Sequence, residues 1–267
     1  MQILEEGLTL EQSLWANRAS MAGIGLSQVC FGTEHINCAA PQFGGAILAE
    51  AARQYGVNFW DTDNSYGSIT QVAAALKIVR REEVVICSKS YAASAKEAEA
   101  DLARSLEELG TDYIDIFLLH EVPAGSLERL MPGLEALTKA KQKGIIRAVG
   151  LSTHSASIVS QGADIPEIEI VCAPFNRQGT RIEEGALDSM RVALDRAHNQ
   201  KGKGVYVIKT LGAGDLVHDV RGSLRWVLDH HASIDVYNIG VAALSELRED
   251  LSVVNEYFSR LGEAHHE

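Results

Sequence analysis

Residues 84–120 read VVICSKSYAASAKEAEADLARSLEELGTDYIDIFLLH, and this stretch decides the fold. Within it, an apolar run at Val84–Lys89 is followed by an amphipathic stretch at Ser94–Leu109 and by a second apolar run at Tyr113–His120. Short apolar runs rich in β-branched residues are typical of buried strands, and an apolar spacing of about 3.6 residues is typical of a helix. The stretch therefore predicts a strand–helix–strand unit.

The same alternation recurs along the whole chain. Ser94 and Glu97 are spaced as a capping box, and Gly56, Gly110 and Gly144 are each predicted to end a helix. The eight predicted strands are Gln28–Gly32, Asn58–Asp61, Val84–Lys89, Tyr113–His120, Ile145–Ser152, Ile168–Phe175, Gly204–Thr210 and Ile234–Ile239. The predicted helices are Gly45–Tyr55, Ile69–Val79, Ser94–Leu109, Ser126–Lys143, Leu187–Gln200, Val220–His230 and Leu244–Leu261, with about two helical turns within Ser155–Ile165.

Eight strands that alternate with helices predict a parallel sheet with helical crossovers. The chain has 267 residues, close to the roughly 250 typical of a (β/α)8 barrel. A doubly wound sheet that bound a dinucleotide would carry G-x-G-x-x-G after its first strand, whereas Gly23 and Gly25 precede that strand. We therefore expect a single α/β domain over 1–267, a (β/α)8 TIM barrel, with an N-terminal segment at 1–24 and a frayed tail at 262–267.

Composition limits the possible partners. The chain has 24 Lys and Arg against 36 Asp and Glu, and this net charge of −12 disfavours nucleic acid and anionic membranes. Apolar runs are shorter than the roughly 18 residues of a membrane span, and the acidic start is unlike a signal peptide. Cys30, Cys38, Cys87 and Cys172 lack C-x-x-C spacing, which is typical of free thiols in a reducing compartment. We expect a cytoplasmic monomer or small homo-oligomer with no nucleic-acid partner, no membrane partner and no metal site.

Four titratable residues are predicted to converge at one end of the barrel. Asp61, Lys89 and His120 end the second, third and fourth predicted strands, and Tyr66 follows the second. Catalytic residues of such barrels lie at the carboxyl ends of the strands. We expect Asp61 to pair with Lys89, and the charged Lys89 to lower the pKa of Tyr66 from about 10. A tyrosine acid beside a cation suits protonation of an oxygen on which charge develops, and His120 is placed to orient that oxygen.

The seventh predicted strand continues into a glycine-rich loop. Residues 209–215 read Lys-Thr-Leu-Gly-Ala-Gly-Asp. Backbone N–H groups of such loops bind phosphate, and Lys209 adds a cation beside them. Carbonyl reduction with a dinucleotide uses both a proton donor and a phosphate site. Taken singly, each feature also fits a structural role, such as an ion pair at the barrel mouth or a turn at Gly212 and Gly214.

Several blocks of the chain resemble the aldo-keto reductase family and follow one another in the family's order. Phe59-Trp60-Asp61-Thr62, with Tyr66-Gly67 after it, is similar to the F-D-T-A strand end and the Y-G that follows it in the family. Residues 80–89 and 109–120 resemble the next two blocks. Residues 144–152, GIIRAVGLS, are similar to G-K-I-R-A-I-G-V-S.

The resemblance extends from about Gly25 to Leu251. It implies an oxidoreductase of the (β/α)8 type that transfers hydride between a nicotinamide dinucleotide, NADP(H) or NAD(H), and a small carbonyl or alcohol substrate such as an aldehyde, ketone or sugar. The family's four catalytic residues correspond to Asp61, Tyr66, Lys89 and His120. Tyr66 would then be the general acid in reduction and the general base in oxidation.

The resemblance also implies a set of cofactor-binding residues. These are Thr33, Ser152, Thr153, Cys172, Lys209, Thr210, Leu211, Gly212, Gly214, Asp215 and Asp250. Three positions near the nicotinamide depart from the family. Thr153 follows Ser152 where the family has Asn, Cys172 or Ala173 stands where it places Gln, and Ile208 stands where an aromatic residue stacks on the nicotinamide. Residues 209–216 resemble the K-P-L-G-G-G-x-L variant of one family branch. That branch often carries a C-terminal iron–sulfur extension, which we do not expect here because no cysteine follows Cys172.

The start of the last predicted helix bears on the choice of cofactor. Many family members hold the adenosine 2′-phosphate there with Lys or Arg, whereas this chain has Ala242 and Glu246. A carboxylate repels a phosphate dianion. We therefore hypothesise weaker discrimination in favour of NADPH than is usual, extending to a preference for NADH, with Arg248 as the remaining candidate phosphate contact. Acidic loop residues such as Glu121 suit neutral or cationic substrates.

Three other functions stay open at this point. The altered carboxamide and stacking positions suit a non-catalytic, dinucleotide-binding protein of aldo-keto-reductase type. A lysine-dependent aldolase or isomerase would form an imine at Lys89 or Lys209, although Asp61 is expected to keep Lys89 charged. A metal-dependent barrel hydrolase would use His120 and His154, although the first predicted strand has no H-x-H pattern.

Overall fold

The computed structural model describes residues 15–264, and the side chains of residues 15–262. An antiparallel hairpin, β1 (Arg18–Met21) and β2 (Ile24–Ser27), precedes a closed barrel of parallel strands. The barrel strands are β3 (Val29–Gly32), β4 (Phe59–Asp61), β5 (Val85–Ser90), β6 (Ile114–Leu119), β7 (Ile146–Ser152), β8 (Ile170–Pro174), β9 (Gly204–Ile208) and β10 (Val236–Gly240). Neighbours follow chain order, and β10 pairs with β3 to close the ring.

A helix follows each barrel strand and packs on the outside. The helices are α1 (Pro41–Tyr55), α2 (Ile69–Ala75), α3 (Ala95–Leu109), α4 (Leu127–Gln142), α5 (Ala156–Gly162), α6 (Leu187–Asp195), α7 (Val220–Leu228) and α8 (Leu244–Ala264). This arrangement confirms the predicted (β/α)8 TIM barrel, and every barrel strand lies within its predicted run or one residue beyond it. Among residues 15–264, none of the helices is both long and apolar enough to cross a membrane.

Local sequence accounts for the ends of α3. The Ser94 hydroxyl accepts a hydrogen bond from the Glu97 N–H at 3.3 Å, and the Glu97 carboxylate accepts one from the Ser94 N–H at 3.0 Å. Both donors belong to the first turn, whose N–H groups have no partner within the helix. Gly110 ends α3 at φ +66°, a left-handed conformation that costs glycine little. The predicted capping box and glycine stop are both present.

Side chains alternate between the barrel interior and the helix layer. In β4, Trp60 packs in the cluster beneath the helices, whereas Phe59 belongs to the interior cluster. Successive residues of a strand point to opposite faces, so Asp61 shares the interior side with Phe59. The strand ends therefore present every second residue to the mouth of the barrel, where the candidate site lies.

The two chain ends differ from the expected boundaries. The sequence predicts an N-terminal segment that ends at 24, whereas the hairpin continues to Ser27. Residues 1–14 of that segment lie outside the described residues. Met21 of the hairpin lies against Gly204 at the start of β9, so the hairpin covers the amino end of the barrel. At the other terminus α8 continues to Ala264, so 262–264 are helical although a frayed tail was expected from 262. Residues 265–267 lie outside the described residues.

Candidate active site

Asp61 and Lys89 form a buried ion pair at the carboxyl end of the barrel. The Lys89 ammonium is bonded to Asp61 Oδ1 and donates to the Thr62 carbonyl at 2.9 Å. Both side chains are almost fully buried, with exposures of 1% for Lys89 and 2% for Asp61. Burial lowers the pKa of Lys89, but the charge and hydrogen bond of Asp61 together with Tyr66 and Cys87 outweigh it, and the pKa is raised well above its ordinary value. Lys89 therefore stays cationic, as the sequence predicted.

The second oxygen of Asp61 accepts two further hydrogen bonds. The Tyr206 hydroxyl donates to Oδ2 at 3.0 Å, and the Asn238 amide donates to the same atom at 2.8 Å. Neither donor is among the residues predicted from the sequence. The spacing along the strands indicates both residues, because side chains two residues apart on a strand lie on the same face. Tyr206 is two residues before Ile208 and Asn238 is two before Gly240, and Ile208 and Gly240 line the cavity at the strand ends.

Tyr66 lies over the ion pair. Its ring centroid is 4.7 Å from Lys89 Nζ and 6.0 Å from the His120 ring, which it meets edge-on. Desolvation raises the pKa of Tyr66 well above its ordinary value, and the charge of Lys89 opposes that rise. The sequence predicts a net lowering of this pKa. That expectation was wrong in sign for the protein alone, because the loss of water outweighs the lysine charge.

His120 presents an unpartnered nitrogen to the same site. Its Nδ1 lies 2.8 Å from the Ser152 hydroxyl, which also accepts the Glu121 N–H at 3.0 Å. Its Nε2 is buried and has no hydrogen-bond partner among the described residues. Burial, with the nearby charge of Lys89, lowers the pKa of His120 to about 2. The ring is therefore neutral at ordinary pH.

A cavity of about 570 Å³ opens beside these residues and runs toward the start of α8. Its volume is within the range of small-ligand and cofactor sites. It is lined by Gly32, Glu34, His35, Asp61, Tyr66, Ile208, Lys209, Thr210, Leu211, Ala213, Gly214, Val217, Val220, Asn238, Gly240, Ala242, Glu246, Glu249 and Asp250. Five predicted cofactor residues are among them, namely Lys209, Thr210, Leu211, Gly214 and Asp250.

Several cavity residues are not predicted from the sequence. His35, Val217, Val220 and Asn238 line the cavity although none of them is a predicted site residue. Val217 and Val220 follow the glycine-rich loop within a few residues, and Asn238 lies two residues before the end of the last barrel strand. Following the loop further and taking every second residue at each strand end would indicate these three.

Six predicted cofactor residues do not line the cavity. Thr33 donates to the Asp61 carbonyl at 2.9 Å, and Thr153 donates to the Val122 carbonyl at 2.7 Å. Ser152 is engaged with His120, as described above. These three hydroxyls hold the framework of the site.

The other three predicted residues lie in different surroundings. Cys172 is fully buried in the barrel interior, where burial and Asp61 raise its pKa to about 12. Gly212 is buried within its loop, and its N–H donates to the Lys209 carbonyl at 2.8 Å. Asp215 is an exposed partner of Arg181 at 3.7 Å.

Lys209 points toward a histidine. Its Nζ lies 3.0 Å from His154 Nε2, and His154 Nδ1 lies 3.4 Å from a Glu183 oxygen. Burial lowers the pKa of Lys209, while Glu121 opposes that change. Lys209 also adopts φ +56°, a left-handed conformation uncommon for residues other than glycine. The sequence predicts that Lys209 faces a phosphate at the glycine-rich loop, whereas its ammonium contacts His154.

The far end of the cavity is acidic. One Glu246 oxygen accepts the N–H groups of Ala242 at 2.8 Å and Ala243 at 3.2 Å, at the start of α8. Arg248 donates to the Tyr55 hydroxyl at 2.6 Å, and its guanidinium lies 5.7 Å from the centroid of that ring. Burial, with the neighbouring charges of Glu249 and Glu246, raises the pKa of Asp250 to about 8.

The geometry bears on two of the alternative chemistries. An imine requires a neutral lysine, and Asp61 helps to keep Lys89 protonated, whereas burial lowers the pKa of Lys209, so the argument against an imine applies to Lys89 alone. Over the described part of the chain, no three His, Cys, Asp or Glu residues are grouped so as to hold a metal ion. His154 is instead paired with Lys209 and Glu183.

Fold and site together define a (β/α)8 barrel protein with a titratable cluster and a ligand-sized cavity at the carboxyl ends of its strands. Within that class, the sequence model of the aldo/keto reductase family matches residues 28–257. The chain belongs to this family, which confirms the resemblance seen in the sequence.

Curated relatives are 26–28% identical to this chain over the aligned residues, which are only part of each relative's length. L-galactose dehydrogenase of Arabidopsis thaliana is 27% identical over 218 residues, covering 76% of this chain and 64% of that protein. The methylglyoxal reductase DkgA of Escherichia coli is 26% identical over 190 residues, 67% of this chain and 69% of that protein. An aldo-keto reductase of Mycolicibacterium paratuberculosis is 28% identical over 129 residues, and the matched part spans 45% of either chain.

Solved structures share the fold at lower identity. The holo form of an aldo-keto reductase from Bacillus halodurans superimposes with a TM-score of 0.74 at 17% identity, over 90% of this chain and 91% of that one. An aldo/keto reductase from Brucella melitensis gives a TM-score of 0.71 at 18% identity, over 89% of this chain and 93% of that one. At these identities the likeness concerns the fold alone.

Proposed function

We propose that this chain is an oxidoreductase that transfers hydride between a nicotinamide dinucleotide and a small carbonyl or alcohol substrate, with Tyr66 as the general acid and base. The observation that carries the proposal is the unpartnered His120 Nε2 beside Tyr66, which itself lies over the cationic Lys89. Two groups that can hydrogen-bond one substrate oxygen thus stand next to a stabilising charge. Membership of the aldo/keto reductase family supports the same reaction class.

The hydrogen bonds of His120 select a useful tautomer. The Ser152 hydroxyl accepts the Glu121 N–H, which leaves its own proton for His120 Nδ1. The ring proton then resides on Nε2, where it can donate to a carbonyl oxygen. Because the ring is neutral, it orients the oxygen without competing with Tyr66 as the acid.

Tyr66 would transfer its proton to the oxygen in reduction and recover it in oxidation. The phenolate left after transfer is stabilised by Lys89, whose charge is maintained by Asp61. In the free protein the raised pKa keeps Tyr66 protonated, which is the state that reduction requires.

The cavity fits a nicotinamide dinucleotide. When bound, this cofactor supplies or accepts the hydride. Ile208, Thr210 and Leu211 would hold it near Tyr66, and Ala242 and Asp250 would hold its distal half. The cavity is continuous between these two groups, and Gly214 leaves open space beside the loop, since an added Cβ would meet nothing within 4 Å.

We further propose a preference for NADH over NADPH. Glu246, Glu249 and Asp250 line the distal end of the cavity, and Glu246 already occupies the N–H groups of Ala242 and Ala243. A helix amino end is ordinarily a favourable place for a phosphate. Here a carboxylate holds that place, so the additional phosphate of NADPH would meet repulsion.

The charges near Lys209 support an uncharged substrate. Glu121, Glu34 and Arg181 are close enough to influence the Lys209 ammonium, and the two carboxylates balance the two cations. A small neutral aldehyde or sugar is therefore favoured over a carboxylate. The names of two relatives, L-galactose dehydrogenase and methylglyoxal reductase, are consistent with such compounds.

We also propose a single barrel domain acting in the cytoplasm.

One observation favours a second candidate, a dinucleotide-binding protein without turnover. Ser152, Thr153 and Cys172, the residues expected to hold the nicotinamide carboxamide, do not line the cavity. Such a protein would bind the cofactor and leave carbonyl compounds unchanged.

Calorimetric titration with NADH and NADPH in parallel, followed by turnover assays on neutral and acidic aldehydes and sugars, tests these proposals. Binding with turnover of neutral compounds is expected. Binding without turnover on any compound would favour the second candidate, and binding of neither dinucleotide would refute both. Tighter binding of NADPH would refute the cofactor preference alone.

A further inference from the structure

Tyr206 places a phenol in the barrel interior beneath the candidate site. Its side chain is fully buried and meets the Phe59 ring edge-on, at 5.6 Å between centroids. Its hydroxyl donates to Asp61 Oδ2 at 3.0 Å and lies 3.4 Å from Cys87 Sγ. A buried hydroxyl with such partners is held in one orientation, because both its ring and its polar end are fixed.

Asn238 repeats the contact from the neighbouring strand. Its amide donates to the same Asp61 oxygen at 2.8 Å, and β9 and β10 pair so that Val236 lies opposite Tyr206. The two carboxylate oxygens of Asp61 therefore have different partners. Oδ1 is bonded to Lys89, and Oδ2 is bonded to two neutral donors.

We propose that Tyr206 is a positioning residue for the reaction proposed above. With Asn238 it holds the Asp61 carboxylate so that a single oxygen faces Lys89, and it thereby sets how strongly Lys89 stabilises the Tyr66 phenolate. Neutral donors on Oδ2 withdraw negative charge from Oδ1. Less of the lysine charge is then cancelled by Asp61, and more of it acts on Tyr66. The inference rests on the proposed role of Tyr66.

Other titratable groups face this pair from several elements of the barrel. Those that interact electrostatically with Asp61 are Cys30, Asp63, Tyr66, Cys87, Lys89, Cys172 and Tyr206. Burial raises the pKa of the thiols of Cys30 and Cys87 well above the ordinary value and that of Cys172 to about 12. His120, at about 2, titrates far below the working range. Neither the thiols nor His120 therefore changes kcat with pH near neutrality. The pH range over which kcat rises, called the pH limb below, is assigned to Tyr66.

Tyr206→Phe tests the proposal, because it removes the hydroxyl and keeps the ring that packs on Phe59. In alcohol oxidation, the pH at which kcat rises should move upward by about one unit. Below that limb kcat should fall about tenfold, while KM for the substrate stays nearly constant. A crystal structure of the variant without ligands should show a rotated Asp61 carboxylate and Lys89 displaced from Tyr66.

Tyr237→Phe is the matched control. Tyr237 is a buried tyrosine on β10 that packs in the helix-side cluster, and its hydroxyl has no hydrogen-bond partner within the described residues. This variant should leave the pH limb and kcat unchanged. Asn238→Ala serves as a second test if Tyr206→Phe fails to fold, and it should shift the limb in the same direction.

The outcomes separate this inference from the proposed function. An unchanged pH limb in a folded Tyr206→Phe variant, or only a lower melting temperature, would overturn the positioning role. If the unmodified protein turns over no carbonyl compound, the proposed function fails. The crystal structures then decide, since an unmoved Asp61 would overturn the positioning role and a rotated Asp61 would uphold the coupling between Tyr206 and Asp61.

Discussion

Lys89 Nζ lies 4.7 Å from the centre of the Tyr66 ring, and each of the two groups changes the proton affinity of the other. Desolvation holds the Tyr66 proton in place, and the lysine charge lowers the cost of releasing it. In the protein without ligand, these two effects on the pKa of Tyr66 oppose each other. In the reaction proposed above, proton transfer from Tyr66 would become favourable only as charge develops on the substrate oxygen.

Tyr66→Phe should remove the proton donor and keep the shape of the site. We expect kcat to fall by about a thousandfold, the typical contribution of a positioned acid or base, with dinucleotide affinity unchanged. Steady-state kinetics and calorimetry would measure the two quantities. Tyr113→Phe, whose ring lies beneath Arg81 just before β6, is the control and should behave like the unmodified protein. Turnover that survives in Tyr66→Phe would reject Tyr66 as the acid.

Ser152→Ala should weaken catalysis through His120. The alanine cannot donate to His120 Nδ1, so the Nε2 proton and the ring orientation are no longer fixed. Loss of one such hydrogen bond predicts a fall in kcat/KM of about fivefold to tenfold. Stopped-flow rates with one aldehyde would measure it, and Ser160→Ala on the neighbouring α5 supplies the control. Equal loss in both variants would show that the effect does not act through His120.

Glu246→Gln should shift cofactor preference toward NADPH. The amide retains an oxygen for the Ala242 and Ala243 N–H groups, and it removes the negative charge. Relief of one repulsion near a phosphate predicts a change of about tenfold in the ratio of NADPH to NADH affinity. Glu107→Gln, on the distant helix α3, should leave the ratio unchanged. If Glu246→Gln leaves it unchanged too, Glu246 does not govern the preference.

Asp250→Asn should stabilise the protein at alkaline pH. The folded state raises the pKa of Asp250 from 3.8 to about 8, so it holds this proton more tightly than the unfolded chain does. This contribution to the free energy of unfolding is therefore greatest below about pH 3.9 and is lost progressively as the pH rises to about 8. The asparagine should recover on the order of a few kcal/mol at pH 9.

Urea unfolding at pH 5, 7 and 9 would follow this effect, with the exposed Asp188→Asn as the control. Ionisation of Asp250 also adds negative charge to the cavity, so dinucleotide affinity should weaken above pH 8 in the unmodified protein. An Asp250→Asn variant whose stability depends on pH like the unmodified protein would contradict the assignment.

The sequence by itself determined the barrel and the positions of its four central titratable residues. Apolar periodicity, the Ser94 cap and the Gly110 stop act over a few neighbouring residues, so they are legible without the fold. Parallel strands present their carboxyl ends at one edge, and this rule sufficed to group Asp61 with Lys89 and His120.

Only the tertiary structure decided the hydrogen-bond partners and the pKa values of these residues. Tyr206 and Asn238 are 145 and 177 residues from Asp61, and closure of the barrel brings both onto a single oxygen. The direction of the Tyr66 pKa depends on how much water the packed chain excludes, and no local pattern encodes that quantity. Lys209 likewise has His154 within reach because their strand ends lie at the same barrel mouth. Contacts between distant segments therefore set the electrostatics, whereas local patterns set the scaffold.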